Sequence, residues 1–127
     1  MLCAYVAGKM TDSNPVEFLR NLNALQEWTA KVRDFGMAPF PVADDFADIM
    51  RTKETTIPQI KEASMEWLRR ADVVFATPGY ESSPGTVEEI RVARELGIPV
   101  VFDLVELGHL KSNHDQKQCE LPEGGAE

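Results

Sequence analysis

The segment Gly79-Tyr-Glu-Ser-Ser-Pro-Gly-Thr-Val-Glu-Glu89 places two adjacent hydroxyls, a Pro-Gly step and two closing carboxylates between apolar stretches. A helix that opens here can do chemistry. Gly85 permits a close approach, Thr86 is a candidate cap, and Glu89 then falls in the first turn. The positive end of a helix favours the ionised form of such a carboxylate. An ionised carboxylate beside a ligand pocket can attack an electrophilic carbon. The same four residues, Thr86 to Glu89, also spell a capping box, in which Glu89 only reaches back to the cap N–H. The local pattern leaves both readings open. Ser82 and Ser83 precede the helix, where hydroxyls and free N–H groups suit a phosphate. An ordinary Ser/Pro/Gly turn has the same composition. No Lys-Ser/Thr follows the glycine, so the segment is not a P-loop.

A second loop, Gly8-Lys-Met-Thr-Asp-Ser13, follows the apolar run Leu2–Ala7. Tyr5 lies within that run. A tyrosine there is core material, but its phenol needs a partner when buried. Gly8 would let backbone approach a ligand. His109 and His114 have no ligand set around them and read as surface residues. Glu62, Glu66, Arg69 and Arg70 pair at helical spacing and read as a solvated face.

The elements that would position these groups alternate. Residues 2–7 read as a buried strand. Asn14-Pro15 opens a helix, with Glu17 at the capping-box position, and Phe18, Leu22, Leu25, Thr29 and Val32 recur on one face until Gly36. Residues 37–42 form a proline-broken strand, whose prolines suggest a strand end or a sheet edge. Residues 43–56 read as a short helix over Asp44–Arg51 and then a mobile loop. Thr56 and Pro58 open the next helix, which runs to about Arg70. Residues 71–78 are the third strand. A helix follows from Val87 to about Leu96, stopped by Gly97, and residues 98–104 are the fourth strand. A last short helix follows, and the polar tail from about Asn113 reads as frayed. This order defines an α/β class with a parallel sheet and helices on both faces. Sites in such sheets form at the carboxyl ends of the strands. The two loops would face each other if the first and third strands are neighbours.

The chain has 127 residues, 43% of them hydrophobic, enough for one core. A net charge of −8 argues against duplex nucleic acid and against an anionic membrane surface. Two cysteines, Cys3 and Cys119, make neither a disulfide framework nor a zinc pattern and fit free thiols in a reducing cytosol. No segment approaches the roughly 18 apolar residues of a membrane span, and no signal-like stretch opens the chain. A cytoplasmic protein is expected.

Four stretches together resemble the nucleoside 2-deoxyribosyltransferase-like superfamily, which includes the nucleoside 5′-monophosphate N-glycosidases. They are YVAGKM (5–10), EWLRRADVVFATPGY (66–80), SPGTVEE (83–89) and ARELGIPV (93–100). The resemblance covers roughly residues 2–104 and implies a three-layer Rossmann-like (flavodoxin-like) fold over residues 1–112. It implies Glu89 as nucleophile and Tyr5 as the residue that orients it. It implies that Gly8, Lys9 and Met10 line the base and sugar pocket, and that Ser83 and Gly85 contact the substrate. At position 83, relatives acting on free nucleosides carry Asp and the nucleotide N-glycosidases carry Ser. An Asp would repel a 5′-phosphate that a hydroxyl beside helix N–H groups accepts. The implied activity is N-glycosidic bond cleavage in nucleoside 5′-monophosphates, without metal or cofactor, in a homodimer or larger homo-oligomer. Transfer of deoxyribose between free nucleosides is the alternative. Nucleotide binding without chemistry is a third reading. Its support is a departure: the family commonly has Asp eight residues before Asp72, and Ser64 stands there. Glu62 and Glu66 could substitute only from other parts of the helix surface.

Overall fold

The strand Cys3–Ala7 (β1) carries side chains that are buried on both faces from Ala4 onward, as a central strand of a parallel sheet requires. A computed structural model describes residues 1–40, 42, 43, 46 and 56–120. In it β1 is flanked by Ala38–Phe40 (β2) and Val73–Ala76 (β3), and Val100–Val101 (β4) pairs with β3. The order is β2-β1-β3-β4, and every pairing is parallel. Ala4 faces Val73 and Ala7 faces Ala76, so β1 and β3 end level with each other. Asp72 fixes the other end of this pair, its Oδ2 accepting from the Cys3 amide at 2.8 Å.

The period of two along the strands sorts the core into two layers. Ala4, Val6, Val73 and Phe75 point to one face and pack with Leu22, Leu25 and Val32 of helix Pro15–Asp34 (α1) and with Leu107 of helix Leu104–Glu120 (α4). Tyr5, Ala7 and Val74 point to the other face and pack with Leu68 of helix Ile57–Arg69 (α2) and Ala93 of helix Pro84–Glu95 (α3). The result is a three-layer α/β Rossmann-like domain, as the alternation of elements requires. Each fully buried Val or Phe contributes roughly 1.5–3 kcal/mol, so a one-residue slip that exposed these rows would be severe.

The caps follow local chemistry. Asn14 accepts from the amides of Val16 and Glu17 at the start of α1, and Gly36, at φ 79°, ends that helix. Thr56 and Gln59 form a reciprocal capping box for α2. The two C-terminal elements differ from the sequence reading. β4 is two residues long, not seven, because Asp103 leaves the sheet to cap α4, accepting from the Glu106 amide at 2.8 Å. The tail expected to fray from Asn113 continues α4 to Glu120. Buried Leu107 anchors that helix, and Lys111 pairs with Asp115 one turn on. The short helix expected over Asp44–Arg51 lies outside the described residues. Cys3 and Cys119 are exposed free thiols. Among the described residues no helix is long and apolar enough to cross a membrane.

Candidate functional site

Because β1 and β3 are parallel neighbours, the loops after Ala7 and after Ala76 leave the sheet side by side. Gly8 is where they touch. A Cβ there would lie 2.4 Å from Thr77 Oγ1 and 3.0 Å from Leu25 Cδ1. Close packing of the two loops, and not only room for a ligand, requires this glycine. Gly8→Ala is expected to destabilise the fold by about 1–3 kcal/mol, as overpacking does. Urea denaturation checks this, and Thr77→Ala in the same chain should recover part of the loss.

The start of α3 differs from expectation in a way that moves the carboxylate. Ser83 is the N-cap and Pro84 the first helical residue, so the helix begins three residues before Val87. Ser83 Oγ accepts from the Thr86 amide at 3.3 Å and from Thr86 Oγ1 at 2.9 Å. Thr86 is therefore a buried first-turn residue and not the cap. Glu89 lies in the second turn, and its Oε2 accepts a hydrogen bond from the Tyr5 hydroxyl. The capping-box alternative for Glu89 falls with this geometry. So does the expectation that the helix end keeps it ionised. Burial pushes the Glu89 carboxyl up to about 7, against the hydrogen bond from Tyr5 and the positive charge of Lys61, which pull it down. The adjacent Glu88 shows the contrast. It is exposed, and its hydrogen bond and ion pair with Arg91 hold it below the ordinary carboxylate range.

Tyr5 has no exposed surface except through this contact, so the phenol is both core and site. Its ring stacks on Phe40 at 5.5 Å between centroids, and Phe40 stacks on Trp67 at 5.6 Å. The edge strand thereby fixes the direction of the hydroxyl.

A cavity of about 420 Å³ opens above the pair. Tyr5 and Glu89 border it, as do Gly8, Lys9 and Met10 from the first loop and Ser83 and Gly85 from the start of α3. The structure thus gathers every nominated site residue around one space. A Cβ on Gly85 would meet nothing within 4 Å, so this position faces open room. Among the described residues Lys9 makes a loose ion pair to Asp12 at 3.9 Å. Met10 is buried, and its carbonyl accepts from Asn21 Nδ2 at 3.2 Å.

The wall contributed by α2 was not legible as a whole. Lys61 and Ser64 both border the cavity. Their three-residue spacing puts them on one face of the helix, and that spacing was the available signal. Ser64 is 4% exposed and its Oγ has no hydrogen-bond partner. Such a buried orphan costs about 1–3 kcal/mol. Glu62 is exposed, and Glu66 is exposed and paired with Arg69 and Arg70. Neither glutamate borders the cavity, so neither replaces a carboxylate at 64. Val42 and Phe46 supply apolar wall from a stretch with no clear sequence period.

Elsewhere, His109 and His114 border a shallow groove along α4 with Glu106 and Lys117. Among the described residues no group of three His, Cys, Asp or Glu side chains could hold a metal ion.

Fold and site together define an α/β domain with a tyrosine-held carboxylate in a cleft at the carboxyl ends of its two central strands. Residues 2–102 match the family described as Domain of unknown function (DUF4406), and the chain belongs to that family. The match runs from the start of β1 to just before α4. No curated protein matches the chain.

Proposed function

We propose that the chain cleaves the N-glycosidic bond of (deoxy)nucleoside 5′-monophosphates and releases the free base. The observation that carries this reading is the hydrogen bond from the Tyr5 hydroxyl to the Glu89 carboxylate inside a cavity that also contains a helix N-terminus. It agrees with the resemblance to the nucleoside 2-deoxyribosyltransferase-like superfamily. A Glu89 oxygen forms a bond to the anomeric carbon as the bond to the base nitrogen breaks. The electron pair leaves with the base, and water supplies its proton. A second water attacks the glycosyl ester, regenerates Glu89 and gives the sugar 5-phosphate with retained configuration. Tyr5 holds the attacking oxygen in place. Ser83 and the first-turn amides of α3 take the phosphate. Lys9 brings a positive charge to the cavity from the first loop, and of the two carboxylates that also border it Glu88 is already paired with Arg91. In this reading the protein works as a homodimer or larger homo-oligomer in the cytoplasm, where its exposed thiols stay reduced.

Ser64, where relatives have Asp, favours one competing reading, nucleotide binding without chemistry. Incubation with purine and pyrimidine nucleotides and the matching nucleosides, followed by chromatography, separates the readings. Free base and sugar 5-phosphate from nucleotides are expected. Exchange with an added second base would indicate transfer instead. Calorimetric binding with no free base after long incubation would leave a binding module and end the glycosidase reading. Ser83→Asp is expected to lower the preference for nucleotide over nucleoside roughly ten-fold or more, about 1.4 kcal/mol.

A further inference from the structure

Two polar walls border the cavity besides the Tyr5–Glu89 pair. One is the start of α3, with Ser83 and Gly85. The other is the α2 wall, where Lys61 and Ser64 stand one helical turn apart on the same face. Nothing in the reaction as described so far uses this second wall. Ser64 is 4% exposed and its Oγ has no partner, an uncommon condition for a buried hydroxyl. The oxygen is itself covered, and only another χ1 rotamer could present it to the space its residue borders. Lys61 makes no ion pair among the described residues. Its charge is nonetheless felt at Glu89. The same cavity has an apolar lining that includes Met65, Val42 and Phe46, suited to the faces of a flat heterocycle.

We propose that Lys61 and Ser64 form the subsite for the edge of the leaving base, and that this subsite selects a keto oxygen over an amino group. The proposal rests on the glycosidase reading for the word leaving. Its recognition chemistry stands on the wall itself. An ammonium has three donors and no acceptor, whereas a serine hydroxyl both donates and accepts, so the lysine carries the selection and the serine adds a bond to either group. A keto oxygen accepts from both. An amino group in the same place turns N–H against the ammonium, and a site built to bond one group rejects the isostere that cannot answer it. The same oxygen carries negative charge as the C–N electron pair passes into the ring, so the Lys61 charge stabilises the departing base where no carboxylic acid stands at position 64. The substrate class is therefore the 6-oxopurine and 4-oxopyrimidine nucleotides.

The test uses two isosteric pairs, inosine against adenosine 5′-monophosphate and uridine against cytidine 5′-monophosphate. Base release is measured for the wild type, Lys61→Gln, Lys61→Arg and Ser64→Ala, with thermal melts to confirm folding. Calorimetry gives affinities for the same nucleotides and for ribose 5-phosphate. The wild type is expected to prefer the keto member at least ten-fold in each pair. Lys61→Gln should reduce that preference below three-fold with ribose 5-phosphate affinity unchanged, Lys61→Arg should retain it, and Ser64→Ala should weaken both members of a pair while leaving the preference within about three-fold of the wild type. Equal use of both members, or preference for the amino member, overturns the proposal. So does a Lys61→Gln variant that loses ribose 5-phosphate and nucleotide alike, since the lysine would then serve the phosphate. If the wild type releases no base from any nucleotide, the glycosidase reading fails by itself. The ratio of affinities within each pair then still supports or overturns the keto subsite.

Discussion

Glu89→Gln is expected to lower base release by at least about a thousand-fold, because it removes the nucleophile and little else. The amide is nearly the same shape as the carboxylate, and its oxygen can still accept the hydrogen bond that Tyr5 donates to Oε2. Nucleotide affinity should therefore stay within about three-fold, since uniform binding does not depend on the attacking charge. Tyr5→Phe is the companion change. The ring keeps its stack on Phe40, so the fold stays, and only the hydroxyl is lost. The carboxylate then turns freely and loses the bond that favours its charge. A fall of roughly 10–100-fold is expected, mainly in kcat, from lost orientation. Steady-state kinetics with chromatographic detection of base checks both variants. Turnover in Glu89→Gln close to that of the wild type would remove Glu89 from the mechanism.

Much of the frame behind this prediction was legible in the residues. Leu22, Leu25, Thr29 and Val32 at helical spacing are the buried face of α1, and the Asn14 and Thr56 caps open the helices they were expected to open. The prolines suggested a strand end or an edge for β2, and of the two β2 is an edge. What was misplaced turned on competition between neighbours that a linear pattern does not resolve. Ser83 and Thr86 are both good caps. Ser83 prevails because Pro84 fits the first helical position, where no N–H is needed. That shift of three residues moved Glu89 from the first turn to the second and from the helix end to the Tyr5 phenol. Its burial then outweighed the helix dipole, which falls off within one turn. The α2 wall was hidden for another reason. Lys61 and Ser64 are unremarkable alone, and only the packing of α2 beside α3 turns their shared face toward the carboxylate.

That burial has a consequence with opposite signs for stability and for catalysis. The folded Glu89 carboxyl titrates at about 7, against 4.5 for an ordinary glutamate. Below pH 4.5 the group is protonated in both folded and unfolded chains, and its contribution to stability is fully present. Between 4.5 and 7 the unfolded chain releases the proton while the folded chain retains it, so stability falls as pH rises. Above 7 both are ionised and the loss is complete, at roughly 3 kcal/mol. Catalysis runs the other way. The nucleophile must be ionised, so kcat/KM should rise ten-fold per pH unit below 7 and level off above it. The exposed Glu88, held down by Arg91, has the opposite linkage and loses its contribution as pH falls. It is common to wild type and variant, and comparison with Glu89→Gln cancels it. Urea titrations at pH 5 and pH 8 should show Glu89→Gln more stable than the wild type only at the higher pH. A wild-type chain whose stability relative to Glu89→Gln did not change across that interval would place the ionised carboxylate in water. A substrate-facing group with an ordinary titration would follow, with the limb of the rate profile near 4.5.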